Sequence, residues 1–97
     1  MIKYKLHVTK GAEQDLVDLY SEGFKTWGEL QADRYYEGLL TRFDRMCENP
    51  MLDRAVDEIR KGYRRSVYGK HSIYFVIVED IIEVRAVIKK QNIMLRL

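Results

Sequence analysis

Y-R-R-S-V-Y-G-K-H-S-I-Y-F-V-I-V-E-D-I-I-E-V-R-A-V-I, residues 63–88, is the stretch on which the fold turns. Three strand-like runs, Tyr63 to Tyr68, Ser72 to Val78 and Ile81 to Ile88, are separated only by Gly69-Lys70-His71 and Glu79-Asp80. Connections this short join neighbouring antiparallel strands, so the stretch reads as a meander. Its middle run, Ile73-Tyr74-Phe75-Val76-Ile77-Val78, is apolar on both faces. It is therefore expected at the centre of the sheet, with cover on each side.

Upstream the period changes from strand to helix. Ala32, Tyr35, Tyr36, Leu39, Leu40, Phe43, Met46 and Cys47 recur at helical spacing until Asn49-Pro50 stops them. Before Gly28, Ala12, Leu16, Leu19, Tyr20, Phe24 and Trp27 form a second such series, for which Thr9 can serve as N-cap. A break of one glycine implies an antiparallel helical hairpin. At the start, Ile2, Tyr4, Leu6 and Val8 alternate with Lys3, Lys5 and His7, the mark of a half-buried strand with His7 on its solvated side. Met51 to Glu58 reads as irregular. The order is β-α-α-β-β-β, an α+β fold in which an antiparallel sheet packs against an N-terminal helical hairpin.

At 97 residues the chain is expected to be one domain, 1–97, with a single core. Its 33% charged and 46% hydrophobic residues are those of a water-soluble globule, and no run of about 18 apolar residues is present, so the expected location is cytoplasmic, without a membrane partner. One cysteine, Cys47, excludes an intrachain disulfide and a cysteine-based zinc cluster; its spacing puts it on an apolar helix face. With only two histidines, no metal or other cofactor is expected.

Charge is divided unevenly. Residues 1–53 hold 7 Lys and Arg against 10 Asp and Glu, whereas residues 54–97 hold 10 against 5. The sheet-forming half is the positive one, which suits an anionic partner. Arg64 and Arg65 are adjacent and so point to opposite faces of their strand. Arg65 shares a face with Tyr63 and Val67, Arg64 with Ser66 and Tyr68. Arg64 is therefore expected on the open face with Arg85, and Arg65 paired with an acidic residue under a loop.

The order of elements and several short motifs resemble the RelE/ParE toxin superfamily, and within it the ParE branch. The motifs are Ala12-Glu13-x-Asp15-Leu16, Trp27-Gly28, Glu48-Asn49-Pro50, Asp57-Glu58-Ile59-Arg60-x-Gly62-Tyr63-Arg64, Gly69-x-His71-x-Ile73-x-Phe75 and Ile82-Glu83-Val84-Arg85-x-Val87-Ile88. The resemblance implies the toxin of a bacterial toxin–antitoxin pair that inhibits DNA gyrase by stabilising its cleaved DNA complex. It also implies that a ParD-like antitoxin neutralises it in a hetero-oligomer.

On this reading the chain is not an enzyme and has no catalytic residues. Arg64, His71, Arg85, Lys89 and Lys90 would face the target, and Leu16, Leu19, Tyr20 and Phe24 would receive apolar anchors of the antitoxin. The alternatives are a RelE-like ribosome-dependent mRNA endoribonuclease and a non-toxic antitoxin-binding module. Cleavage of RNA needs a group to activate the 2′-hydroxyl and another to protonate the leaving oxygen. Relatives that cleave place a Tyr or a His-Tyr pair near the C-terminal tail, whereas residues 86–97 here contain neither His nor Tyr.

Overall fold

The computed structural model describes residues 3–89. The chain runs β1 (Lys5–Val8), α1 (Lys10–Trp27), α2 (Glu29–Glu48), a 3-10 turn (Pro50–Leu52), β2 (Arg54–Ala55), β3 (Tyr63–Tyr68), β4 (His71–Val78) and β5 (Ile81–Lys89). Thr9 caps α1 as its sequence position suggested: its Oγ1 accepts the Ala12 N–H at 3.2 Å. Such a cap stabilises a helix by about 1 kcal/mol. Gly28, at φ +89°, ends α1 and begins α2 in a backbone conformation open to glycine, which is why the hairpin turns on a single residue.

The strands form one five-stranded sheet in the order β1-β5-β4-β3-β2. The expected meander holds, with β3, β4 and β5 successively antiparallel. The expectation of a wholly antiparallel sheet is corrected, because β1 pairs with β5 in parallel, Lys5 opposite Ile81 and Val8 opposite Val84. The cause is β2, two residues in the stretch expected to be irregular, which pairs antiparallel with β3. Each connection reverses the chain, so one added element changes the sense in which the first and last strands meet. The predicted start of β1 at Ile2 lies outside the described residues.

The central strand is covered on both faces, as its composition required. Toward the helices, Ile73 and Phe75 pack with Leu16, Leu19, Leu39, Phe43, Met46, Ile82, Val84 and Val87. On the opposite face Tyr74 packs with Val56, Tyr63, Ala86 and Ile88. Each fully buried large side chain contributes roughly 1.5–3 kcal/mol of transfer free energy, so both layers matter to stability. Cys47 is buried in the first layer, and burial raises its thiol pKa, the behaviour of a packing residue rather than a nucleophile.

A β-bulge interrupts the pairing of β4 with β5. Tyr74 is opposite Ala86 and the next residue, Phe75, is opposite Val84, leaving Arg85 as the extra residue. The alternation of β5 changes phase there. Ile82 and Val84 face the helices, whereas Ala86 and Ile88 belong to the other layer.

Candidate functional site

His71 is held by the helices. Tyr35, on α2, places its phenol 2.8 Å from His71 Nδ1, donates to the carbonyl of Tyr68 at 3.0 Å and accepts the Lys70 N–H at 3.2 Å. A phenol has one hydrogen, and the Tyr68 carbonyl receives it. The hydrogen count then assigns the His71 proton to Nδ1, which leaves a lone pair on Nε2. Burial, then the nearby Lys89 charge, lowers the His71 pKa and favours this neutral form. Gly69 makes the approach possible: a Cβ there would lie 2.6 Å from the Tyr35 hydroxyl, and its φ is +54°.

Lys89 pairs across the strands with His71, and its ammonium reaches Glu22 of α1 at 2.6 Å. That bond, followed by the Lys89 charge itself, lowers the Glu22 pKa. Lys90 lies outside the described residues.

Arg64 does not stand where the sequence reading put it. Its cross-strand partner is Phe75, a residue of the helix-side layer, and its guanidinium donates to the carbonyl of Asp53 at 2.7 Å. Asp53 is buried and takes a two-pronged bond from Arg45, at 2.6 and 3.0 Å. Ser66, on the same face of β3, is buried beneath α2 and accepts from Arg42 at 2.9 Å and Arg45 at 3.3 Å. Arg64 thus ties the segment after α2 to the sheet. Two helix arginines, Arg42 and Arg45, reach over Ser66 and close the face on which Arg64 was expected to be open.

Arg65 is the one that shares a face with Arg85. Its partners across the sheet are Arg54 on one side and Tyr74 on the other, and Tyr74 in turn opposes Ala86. The bulged Arg85 emerges on this face. Its Nε donates to Glu83 at 2.7 Å and an Nη to the Tyr63 hydroxyl at 3.1 Å. The guanidinium carbons of Arg85 and Arg60 lie 5.7 and 5.8 Å from the Tyr63 ring centroid. The bond to Tyr63 and then that to Glu83 raise the Arg85 pKa, while desolvation opposes them. The four expected target-facing residues that are described, Arg64, His71, Arg85 and Lys89, therefore do not make one surface. Arg64, His71 and Lys89 face the helices, whereas Arg85 faces away, on the face that Arg54 and Arg65 share, with Arg60 beside it at the Tyr63 ring.

The first helix carries a groove of about 580 Å³. Leu16, Tyr20 and Phe24 line it as expected, joined by Val17 and Tyr36, with Glu13 and Lys25 among the other lining residues. Val17 is 60% exposed and Phe24 47%, so much of this lining is apolar surface open to solvent. Leu19 does not line the groove: positions 12, 16 and 19 point into the core, where Leu19 is 8% exposed. Tyr20 is steadied by a 2.5 Å bond from its hydroxyl to Asp33 and by an edge contact with Tyr36. Val17 could have been found from its spacing of three and seven residues from Tyr20 and Phe24 along α1, whereas Tyr36 is brought to the groove by α2.

Among the described residues, no group of three or more His, Cys, Asp or Glu side chains is placed to hold a metal ion, and no helix is long and apolar enough to cross a membrane.

The chain is similar to proteins of known family. The family model described as "ParE toxin of type II toxin-antitoxin system, parDE" matches residues 6–94. The protein named Toxin ParE1 of Mycobacterium tuberculosis is 32% identical over 73 residues, covering 75% of this chain and 74% of its own. The Toxin ParE1 of Caulobacter vibrioides is 29% identical over 75 residues, 77% of this chain and 76% of its own. Two solved structures share the fold at 15% identity. A chain of the chromosomal ParDE system of P. aeruginosa superposes with a TM-score of 0.77, over 90% of this chain and 96% of that one. A chain of the RelBE2 toxin–antitoxin complex of M. tuberculosis superposes at 0.68, over 92% and 100%. With the family model spanning nearly the whole described chain and the mycobacterial relative aligned over three quarters of it, the protein belongs to the ParE toxin family of type II toxin–antitoxin systems.

Proposed function

We propose that this toxin acts by inhibiting DNA gyrase, stabilising the cleaved DNA complex of that enzyme, and that a ParD-like antitoxin neutralises it in a cytoplasmic hetero-oligomer. The observation that carries the reading is the separation of two surfaces of opposite chemistry. An apolar groove lies on α1, and an arginine-rich face lies on the other side of the sheet. The groove suits the apolar anchors of an antitoxin helix, with Leu16, Val17, Tyr20, Phe24 and Tyr36 as its receiving residues. That solved neighbours of the same fold come from toxin–antitoxin systems supports such a partner. Target contact is assigned to Arg85 together with Arg60 and Arg65, in place of the five-residue set of the sequence reading.

On this reading the protein works by binding and not by catalysis, in keeping with the lack of His and Tyr in residues 86–97. One observation favours the ribonuclease alternative: Tyr35 orients His71 with its Nε2 lone pair free to act as a base.

A paired assay decides. Purified toxin is added to a gyrase supercoiling and cleavage reaction and, separately, to a translating extract. Accumulation of cleaved DNA with unimpaired translation is expected. Ribosome-dependent mRNA cleavage with gyrase unaffected would replace the proposal by the alternative. Inactivity in both, with a stable antitoxin complex, would mark a non-toxic binding module.

A further inference from the structure

We propose that the connection between β2 and β3, residues 56–62, is a displaceable lid, and that its opening presents the Tyr74 hydroxyl to a protein surface of the target. The inference deepens the gyrase reading and rests on it only for the identity of that protein; the lid belongs to this chain. Tyr74 is fully buried, and its hydroxyl has no hydrogen-bond partner among the described residues. Around it stand the apolar side chains of Val56, Ile59, Val76, Ala86 and Ile88, while the Tyr63 hydroxyl is engaged by Arg85. A buried polar atom without a partner costs free energy in the closed state, and that cost is recovered once water or a partner reaches it.

The cover over this hydroxyl is folded on itself. The Ile59 and Arg60 N–H groups donate to the Val56 carbonyl at 2.9 and 3.1 Å, the Tyr63 N–H to the Arg60 carbonyl at 3.1 Å, and the Gly62 N–H to Asp57 Oδ1 at 2.7 Å. These bonds lie within residues 56–63, so they survive when the connection swings as a unit. Gly62, at φ +85°, gives the hinge a backbone conformation open to glycine. Val56 and the half-buried Ile59 supply the apolar cover. Opening exposes those two side chains but hydrates the Tyr74 hydroxyl, and the opposed effects hold its cost below that of global unfolding.

The partner that suits the uncovered phenol is a protein. Val67 is 57% exposed and Val78 47%, and strand alternation puts both on the face of Arg65 and Tyr74. Protein interfaces draw most of their affinity from tyrosine and arginine side chains at well-packed centres. With the lid displaced, Tyr74 joins Arg65 and Arg85 in the contact already assigned to this face.

Thiol labelling of the folded protein tests the lid without gyrase. Ala86→Cys, or Ile88→Cys should the first variant not fold, adds a thiol to the Tyr74 layer, while the native Cys47, buried in the helix-side layer, reports opening of the rest of the fold. The added thiol should react at least about tenfold faster than Cys47. Tyr74→Phe removes the unpaired hydroxyl, so it should raise the melting temperature and slow labelling of the added thiol about tenfold. The same variant, although more stable, should bind gyrase about tenfold more weakly in calorimetry without DNA, a loss that a merely structural role would not produce. The lid is overturned if the added thiol reacts no faster than Cys47, or if Tyr74→Phe lowers the melting temperature, since the hydroxyl would then already be bonded. Unchanged gyrase affinity in Tyr74→Phe overturns the contact. Wild-type toxin that does not bind gyrase, with fast labelling retained, overturns the gyrase reading and the contact together and leaves the lid standing.

Discussion

The carboxylate of Asp15 accepts a hydrogen bond from the main-chain N–H of Val87 at 3.0 Å, between residues 72 positions apart. Beyond Val84, β5 has no β1 partner, and Asp15 of α1 supplies the acceptor that a strand would otherwise have given. The Ala12-Glu13-x-Asp15-Leu16 motif is thus a docking device: Ala12 and Leu16 pack in the core, and Asp15 closes the backbone beside them. Asp15→Ala should leave that buried N–H unpaired and lower stability by about 1–3 kcal/mol in chemical denaturation. Asp15→Asn, which keeps an acceptor oxygen, should lose less.

Gly38 should resist replacement by alanine, although alanine is the better helix former by about 1 kcal/mol. A Cβ at this position in α2 would lie 1.6 Å from the Tyr68 hydroxyl, within the space that lets Tyr68 pack edge-on against Tyr35 and beneath Arg42. Gly38→Ala should therefore lower the melting temperature in the wild-type background and raise it in Tyr68→Ala. The double-mutant cycle measures the coupling.

Acid should weaken the fold through His71. Its folded pKa lies below the ordinary 6.5, chiefly through burial and then through Lys89, with Glu22 and Asp15 acting in the opposite sense. The unfolded chain therefore takes up the proton first as pH falls. The stability tied to neutral His71 is complete above 6.5 and is lost as pH falls through the depressed folded value. Denaturation midpoints at a series of pH values should show this loss, and His71→Gln should flatten the profile in that window. In NMR titration, Lys89→Gln should raise the His71 pKa.

Antitoxin capture should depend on side chains that the fold itself does not need. Val17→Asp and Phe24→Asp place charge on exposed groove positions, so the melting temperature should change little. Affinity for the antitoxin, by isothermal titration calorimetry, should fall by about 2–4 kcal/mol for the pair. Leu19→Asp would instead unfold the protein, because Leu19 belongs to the core.

Much of the architecture was legible from residue types. The helical periods, the Thr9 cap, the Gly28 turn and the two-sided apolar run of β4 all express local chemistry, and local chemistry is carried by neighbours in the chain. The parallel sense of β1 was not, because it depends on Arg54–Ala55, a strand too short to show a period. Strand alternation separated Arg64 from Arg65 but could not say which face α2 would cover. Ser66 and Tyr68 looked like residues of an open face, and only Arg42 and Arg45 reaching across from the helix reverse that reading. The bulge at Arg85 has no glycine or proline to mark it, so the change of phase that brings Arg85, Ala86 and Tyr63 together is visible only in the register of β4 and β5.

The parallel pairing of β1 with β5 has a consequence for synthesis. Lys5 meets Ile81 and Val8 meets Val84, so β1 waits for β5 before its ladder can close. Contacts between such distant parts of a chain form late, because a long loop must close before they contribute. A nascent chain that stops short of Ile81 has both helices but no seat for β1, and its helix-side core lacks Ile82, Val84 and Val87. Completion of the toxin fold is thereby deferred until β5 has been made, and a polypeptide cut short before β5 is left without the scaffold on which both proposed binding surfaces depend.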